Sequence, residues 1–202
     1  KNKLICREEV KGKLELFVMS QCPFGVRALN AMNEVIKAFG ADLQFSLHFI
    51  GENKGGKPSS MHGDNEVKGD IVELCAFNLM KDNYKFMELI NCMNEDMKAI
   101  PGNWEACATK IQWPADKVAA IKTCVDGGEG EKLLLEDFKL TSSLGIRGSP
   151  SWIVNNKYQF GGGDARTAQT NICKYNAGFA GCATPLSGPE NKPGAPAPSC
   201  GK

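Results

Sequence analysis

The chain has 202 residues, a formal net charge of +1, and 23% charged against 42% hydrophobic residues. That length suits one domain of ordinary size carrying an insertion, and mixed charge without long single-sign runs argues against nucleic acid or an anionic membrane surface as a partner. No apolar run reaches the roughly 18 residues of a membrane span, and Lys1-Asn2-Lys3 has no apolar stretch behind it, so any export signal is expected to have been removed or never to have existed.

Residues 13–19 read as a buried strand, and Phe24 to Phe39 as a helix with Val26, Leu29, Met32, Val35 and Ile36 at helical spacing, ended by Gly40. Leu43 to Ile50 alternates apolar and polar residues and gives a second strand, hence a β-α-β unit with a parallel pair. Gly51 to Gly63, rich in Gly, Lys, Ser and Pro, reads as a loop. Beyond it the pattern is helical, with breaks expected at Asp82-Asn83, Pro101-Gly102 and Trp113-Pro114. A further helix is expected from about Gly130 to Leu144, and Ser151 to Val154 and Lys157 to Phe160 flank Asn155-Asn156 as a hairpin. Asp164 then caps a short helix, and a Pro/Gly-rich stretch, 186–202, is expected to be a flexible tail.

Between the first strand and its helix stands Ser20-Gln21-Cys22-Pro23-Phe24-Gly25. A thiol at a helix start meets the positive end of the macrodipole and unpaired backbone N–H groups, which favour thiolate. Pro23 suits the first helical turn, where a missing N–H is harmless. In a C-x-x-C pair the first cysteine attacks and the second resolves; here Gly25 stands in the second place, so Cys22 can start thiol–disulfide exchange without a local thiol to finish it. Cys22 is therefore the candidate catalytic residue, within the motif Pro23, Phe24, Gly25. The second marker is Ser149-Pro150, directly before a strand. A cis bond is expected there, with Ser149 and Pro150 holding an extended peptide substrate across Cys22. Strand, Cys-bearing turn, helix and pre-strand proline together resemble a thioredoxin fold. His48 reads as a strand residue, and neither it nor His62 forms a recognisable local motif with Cys22.

Nine cysteines are many for a reducing compartment, and none lies in a paired C-x-x-C set or a zinc spacing. Disulfides in a periplasmic, secreted or other oxidising compartment explain them, and no metal or cofactor is expected. The odd total leaves one thiol over, with Cys22 expected to remain free. Cys75, Cys92, Cys107 and Cys124 are expected to form two structural disulfides. Their equal spacing leaves two arrangements open: Cys75 with Cys92 and Cys107 with Cys124, or Cys92 with Cys107 and Cys75 with Cys124. Partners for Cys6, Cys173, Cys182 and Cys200 are not readable.

With these residues assembled, the chain resembles the gamma-interferon-inducible lysosomal thiol reductase family from about Leu14 to Lys157. The likeness is carried by Cys22-Pro23, Met61-His62-Gly63-Asp64-Asn65-Glu66, Val72-Glu73-Leu74-Cys75, Cys92-Met93, Trp104-Glu105-Ala106-Cys107, Ile121-Lys122-Thr123-Cys124 and Pro150 to Asn155. The family's cysteines flanking His-Gly are Ser60 and Val67 here, and its second catalytic cysteine is Gly25. A looser resemblance extends to the bacterial disulfide-bond-forming proteins.

The sequence thus yields an α/β, thioredoxin-like domain over 1–185 with a disulfide-stapled helical insertion at about 64–126. The function it implies is an exported monothiol oxidoreductase, a reductase or isomerase, forming mixed disulfides through Cys22. Its expected partners are a protein or peptide disulfide and an external thiol reductant. The alternative is a thioredoxin-fold module with degenerate chemistry that binds peptide or protein.

Overall fold

In the computed structural model, which describes residues 3–81 and 84–189, the Leu14-to-Val18 run becomes the centre of a sheet. Strand β1 (Lys3–Leu4) is short, β2 (Lys13–Val18) leads into helix α1 (Pro23–Phe39), and β3 (Gln44–Phe49) returns beside β2. After β6 (Ser151–Val154) and β7 (Tyr158–Phe160) the five strands stand in the order β1-β7-β6-β2-β3. Among the described residues only β2 and β3 pair in parallel, joined by the crossover that α1 supplies. Strand β6 runs antiparallel to β2 with Ser151 opposite Phe17, which brings the residues just before β6 to the end of β2.

Alternation along β2 divides the core. Leu14, Leu16 and Val18 enter a large cluster with α1 and with Leu47, Phe49, Trp152 and Val154. Phe17 and Met19 point the other way, into a smaller cluster with Ile50, Ile146, Ile153 and Cys22. Every one of these side chains is buried, each contributing on the order of 2 kcal/mol of apolar transfer. The three-residue turn between β6 and β7 places Asn155 at φ 53° and Asn156 at φ 63°, a left-handed pair that asparagine tolerates. Helix α7 (Ala165–Tyr175) starts at Asp164, whose carboxylate accepts the Thr167 amide at 2.8 Å.

The Gly51-to-Gly63 segment departs from the expected loop. Strands β4 (Glu52–Lys54) and β5 (Lys57–Ser59) pair as a two-stranded ribbon. Gly55 and Gly56 turn it at φ 62° and 88°, which a side chain would resist. From there the chain is helical: α2 (Asp64–Met80), α3 (Phe86–Asn94), α4 (Trp104–Lys110), α5 (Ala115–Asp126) and α6 (Glu129–Ser143). The expected break at Asp82-Asn83 lies outside the described residues, as does most of the expected flexible tail, 190–202.

Disulfides join Cys75 of α2 to Cys124 of α5 and, nested inside that loop, Cys92 of α3 to Cys107 of α4. Of the two symmetric arrangements, the nested one is present. Gly130 explains how α6 fits beside the outer bridge, since a Cβ there would stand 2.9 Å from the Cys75 sulfur and 2.5 Å from Ile71. A third bridge, Cys173 to Cys182, ties α7 to the turn after it, and Cys6 is unpaired and exposed.

Candidate active site

Cys22 caps α1 with extended backbone (φ −85°, ψ 119°), and Pro23 occupies the first helical turn. The Cys22 carbonyl accepts the Val26 amide at 2.9 Å while its own N–H donates to the Met19 carbonyl at 3.1 Å, so the turn is closed by its own backbone. The Ser149-Pro150 peptide is cis. The Cys22 Sγ lies 3.6 Å from the Ser149 carbonyl oxygen, and the Ser149 hydroxyl oxygen accepts the Met19 amide at 3.1 Å. Cys22, Ser149 and Pro150 therefore meet at the C-terminal end of β2, because the β2–β6 register sets both segments there.

Cys22 is wholly buried, packed with Met19, Ile50 and Ile146, while Pro23 and Phe24 form the exposed rim. Cys22 was expected to be a free thiol; it is disulfide-bonded. Gly25 is buried as well. A Cβ on it would lie 2.5 Å from the Ser149 Oγ and 3.0 Å from the Met19 carbonyl oxygen, so the Ser149 side chain takes up the space a second thiol would need.

Sequence reasoning gave no role to the side chains behind the turn. Helix α2 crosses it at Gly69, where a Cβ would come within 2.6 Å of the Ser20 Oγ. On either side of that contact, Asp70 Oδ1 accepts the Ser20 amide at 2.9 Å and Glu66 Oε2 accepts the Gln21 amide at 3.2 Å. Glu66 also receives the Ser60 hydroxyl, the His62 amide at 3.2 Å and the His62 Nδ1 at 2.6 Å. Glu66, Asp70 and Glu73 are all fully buried. Burial first, then the Glu66 charge, pushes the Glu73 carboxyl up to about 8. Burial likewise raises Asp70 well above the usual carboxylate range, Glu66 adding to it and the Ser20 bonds opposing it. The Gln21 side chain completes the attachment by donating to the Ile100 carbonyl at 2.8 Å, next to a second cis bond, Ile100-Pro101.

Beside the turn opens a cavity of about 570 Å³ lined by Met19, Ile50, Ser60, Met61, Ile146 and Arg147 among others. It shares Met19, Ile50 and Ile146 with the cluster that buries Cys22. Met61 is 54% exposed at this opening. Among the described residues no group of His, Cys, Asp and Glu side chains is placed to hold a metal ion, and no helix is long and apolar enough to cross a membrane. His48 lies away from the Cys22 turn, stacked on Phe17 and bonded through Nδ1 to Asp137 at 2.8 Å.

A sheet of this order, with a buried cysteine at the first helix start facing a cis-proline and disulfide-bonded helices set between strands, defines a mixed α/β thioredoxin-like protein. Residues 13–111 match the model of the Gamma interferon inducible lysosomal thiol reductase (GILT) family. Over 152 residues the chain is 25% identical to the "Gamma-interferon-responsive lysosomal thiol protein" of Arabidopsis thaliana, covering 70% of this chain and 59% of that protein's length. Among solved structures it resembles oxidised BdbD from Bacillus subtilis, with a TM-score of 0.62 at 16% identity over 85% of this chain and 100% of that one. It also resembles the thiol-disulfide exchange protein alpha-DsbA2 from Wolbachia pipientis, with a TM-score of 0.60 at 13% identity over 86% of each chain. At such identities the two structures speak for the fold. The three described disulfides fit an oxidising compartment.

Proposed function

We propose that this protein is a thiol–disulfide oxidoreductase, a reductase or isomerase of an exported or lumenal compartment, that reacts through Cys22 and draws its resolving thiol from outside the Cys-Pro-Phe-Gly turn. The observation that carries this is the Cys22 Sγ at the start of α1, 3.6 Å from the Ser149 carbonyl of a cis Ser149-Pro150 bond. The helix start favours thiolate, and the backbone at Ser149 offers an extended substrate strand-like pairing beside the sulfur. An external thiolate first attacks the Cys22 disulfide and expels Cys22 as thiolate. Cys22 then attacks a substrate disulfide R–S–S–R′, forming Cys22–S–S–R and releasing R′S⁻, which takes a proton from water. A second external thiolate R″S⁻ attacks the R sulfur, giving R–S–S–R″ and returning the Cys22 thiolate. Two electrons and both sulfurs are accounted for at each step, with Gly25 taking no part.

The same burial of Cys22 and the closure of the Gly25 site by Ser149 favour a second reading, a thioredoxin-fold module that binds peptide or protein without turnover. Reduction of a disulfide substrate by the protein with glutathione as reductant separates the two. Turnover that Cys22→Ser abolishes supports the oxidoreductase; peptide binding unchanged in Cys22→Ser, with no turnover in the parent, supports the module.

A further inference from the structure

Glu66, Asp70 and Glu73 recur at intervals of four and three, so α2 sets them on one line of its surface, and that line is fully buried. A buried helix stripe normally carries apolar side chains. Here the first two carboxylates point at backbone: Asp70 at the Ser20 amide (2.9 Å) and Glu66 at the Gln21 amide (3.2 Å). The Ser20 hydroxyl donates to the Glu66 carbonyl at 3.2 Å, and Gly69 lets the helix come this close. These amides belong to the two residues directly before the Cys22 cap, outside the helix itself, so each carboxylate sits on backbone beside the reacting cysteine. From the other side of the turn, the cis-proline loop brings the neutral Ser149 groups to Cys22 and Met19 and Arg147 to the adjoining cavity, and the further titratable neighbours are Glu73 and His62.

We propose that Glu66, held by Ser60 and His62, is a tuning and positioning residue for Cys22: its charge, seated on the Gln21 amide next to Cys22, opposes the Cys22 thiolate and keeps the thiol less acidic and its disulfides harder to reduce than the helix start alone would. This deepens the oxidoreductase reading and rests on it only for its consequence, since the acidity of the thiol is measurable in either case. A thiolate that is less stabilised makes the reduced form less favoured and the protein a weaker oxidant, the direction suited to a reductase. Burial raises the Asp70 carboxyl well above the usual carboxylate range, so its bond to the Ser20 amide adds position more than charge.

The test uses the full chain in a Cys6→Ser background, with Cys22 reduced under conditions that leave the other disulfides intact by mass. The pH dependence of alkylation at the Cys22 peptide gives its acidity, and equilibration with glutathione gives its redox poise. Glu66→Gln is expected to lower the Cys22 pKa by about one unit and shift the glutathione equilibrium about tenfold toward the reduced protein. Asp70→Asn is expected to leave both within about twofold. Ser60→Ala removes a donor from Glu66, concentrates its charge, and is expected to move the pKa upward by a few tenths of a unit. That variant keeps the test decisive if Glu66→Gln does not fold. An unchanged or raised pKa in Glu66→Gln, or a lowered one in Ser60→Ala, overturns the proposal. Loss of substrate turnover with the expected pKa shifts intact would instead count against the oxidoreductase reading alone.

Discussion

The Ser149 Oγ lies 2.5 Å from where a Cβ on Gly25 would stand, so the residue before the cis-proline fills the place of a second thiol. Its hydroxyl oxygen is meanwhile held by the Met19 amide at 3.1 Å, which ties the filled space to the end of β2. Gly25→Cys alone should therefore overpack the site and lower stability by about 1–3 kcal/mol. Gly25→Cys with Ser149→Ala should recover part of that loss and shorten the lifetime of a Cys22 mixed disulfide by tenfold or more, because a neighbouring thiol acts at high effective concentration. Urea titration and quenched mass spectrometry read the two effects. Equal adduct lifetimes in the double variant and the parent would mean that position 25 does not face the Cys22 sulfur.

Cys22→Ser should abolish mixed-disulfide formation with a small aromatic disulfide after mild reduction, whereas Cys6→Ser should leave the Cys22 adduct unchanged. Cys6 is exposed and unpaired, so it is the obvious competing label. Peptide mapping of the labelled protein distinguishes them. Label found only on Cys6 would remove Cys22 as the reacting thiol.

The nested bridges should differ in weight. Cys75–Cys124 closes a loop with a sequence separation of 49 and Cys92–Cys107 one of 15. In the chain-entropy account these correspond to about 4 and about 3 kcal/mol of unfolded-state restriction. Cys75→Ala/Cys124→Ala should thus lower the urea midpoint more than Cys92→Ala/Cys107→Ala, and removal of both pairs should cost less than the sum because one loop contains the other. The reverse ranking would assign the larger stabilisation to the local contacts of α3 and α4.

The parallel strand pair, the first helix and the Cys22/Pro150 pairing were legible because each is local: apolar runs, helical spacing, and a cysteine or proline at a fixed edge of a strand. Nesting of the insert's disulfides was not, since Cys75, Cys92, Cys107 and Cys124 are spaced symmetrically and only the packing of α2 on α5 and α6 chooses among them. The β4–β5 ribbon was hidden by its Gly, Lys and Pro content, which reads as loop. Glu66 and Asp70 escaped notice for a different reason. Val67, Ile71, Val72, Leu74 and Cys75 are buried around the same helix, so no polar face marked the carboxylates as unusual. Their spacing of four, ahead of Glu73, was the available signal, and it carries meaning only once α2 is known to cross the Ser20-Gln21 turn. The burial of Cys22 was likewise beyond a local reading, because Ile50 and Ile146 come from distant segments.

Glu73 makes the stability of the protein fall with rising pH. Both of its carboxylate oxygens are buried without a hydrogen-bond partner among the described residues, and its pKa is raised from 4.5 to about 8 by burial and by the Glu66 charge. Between those two values the folded protein keeps a proton that the unfolded chain has released, so protons favour the folded state and their removal disfavours it. Stability should therefore decline from about pH 5 toward pH 8, on the order of 1 kcal/mol per pH unit from this group. The Asp70 carboxyl, shifted in the same direction, adds to the trend. Glu73→Met removes the titration and the unpaired oxygens at similar volume; it should flatten the slope and leave the variant more stable than the parent at pH 8, with the difference shrinking toward pH 5. Urea unfolding at matched pH values for both proteins measures this. Parallel pH profiles would show that Glu73 does not hold its proton in the folded state.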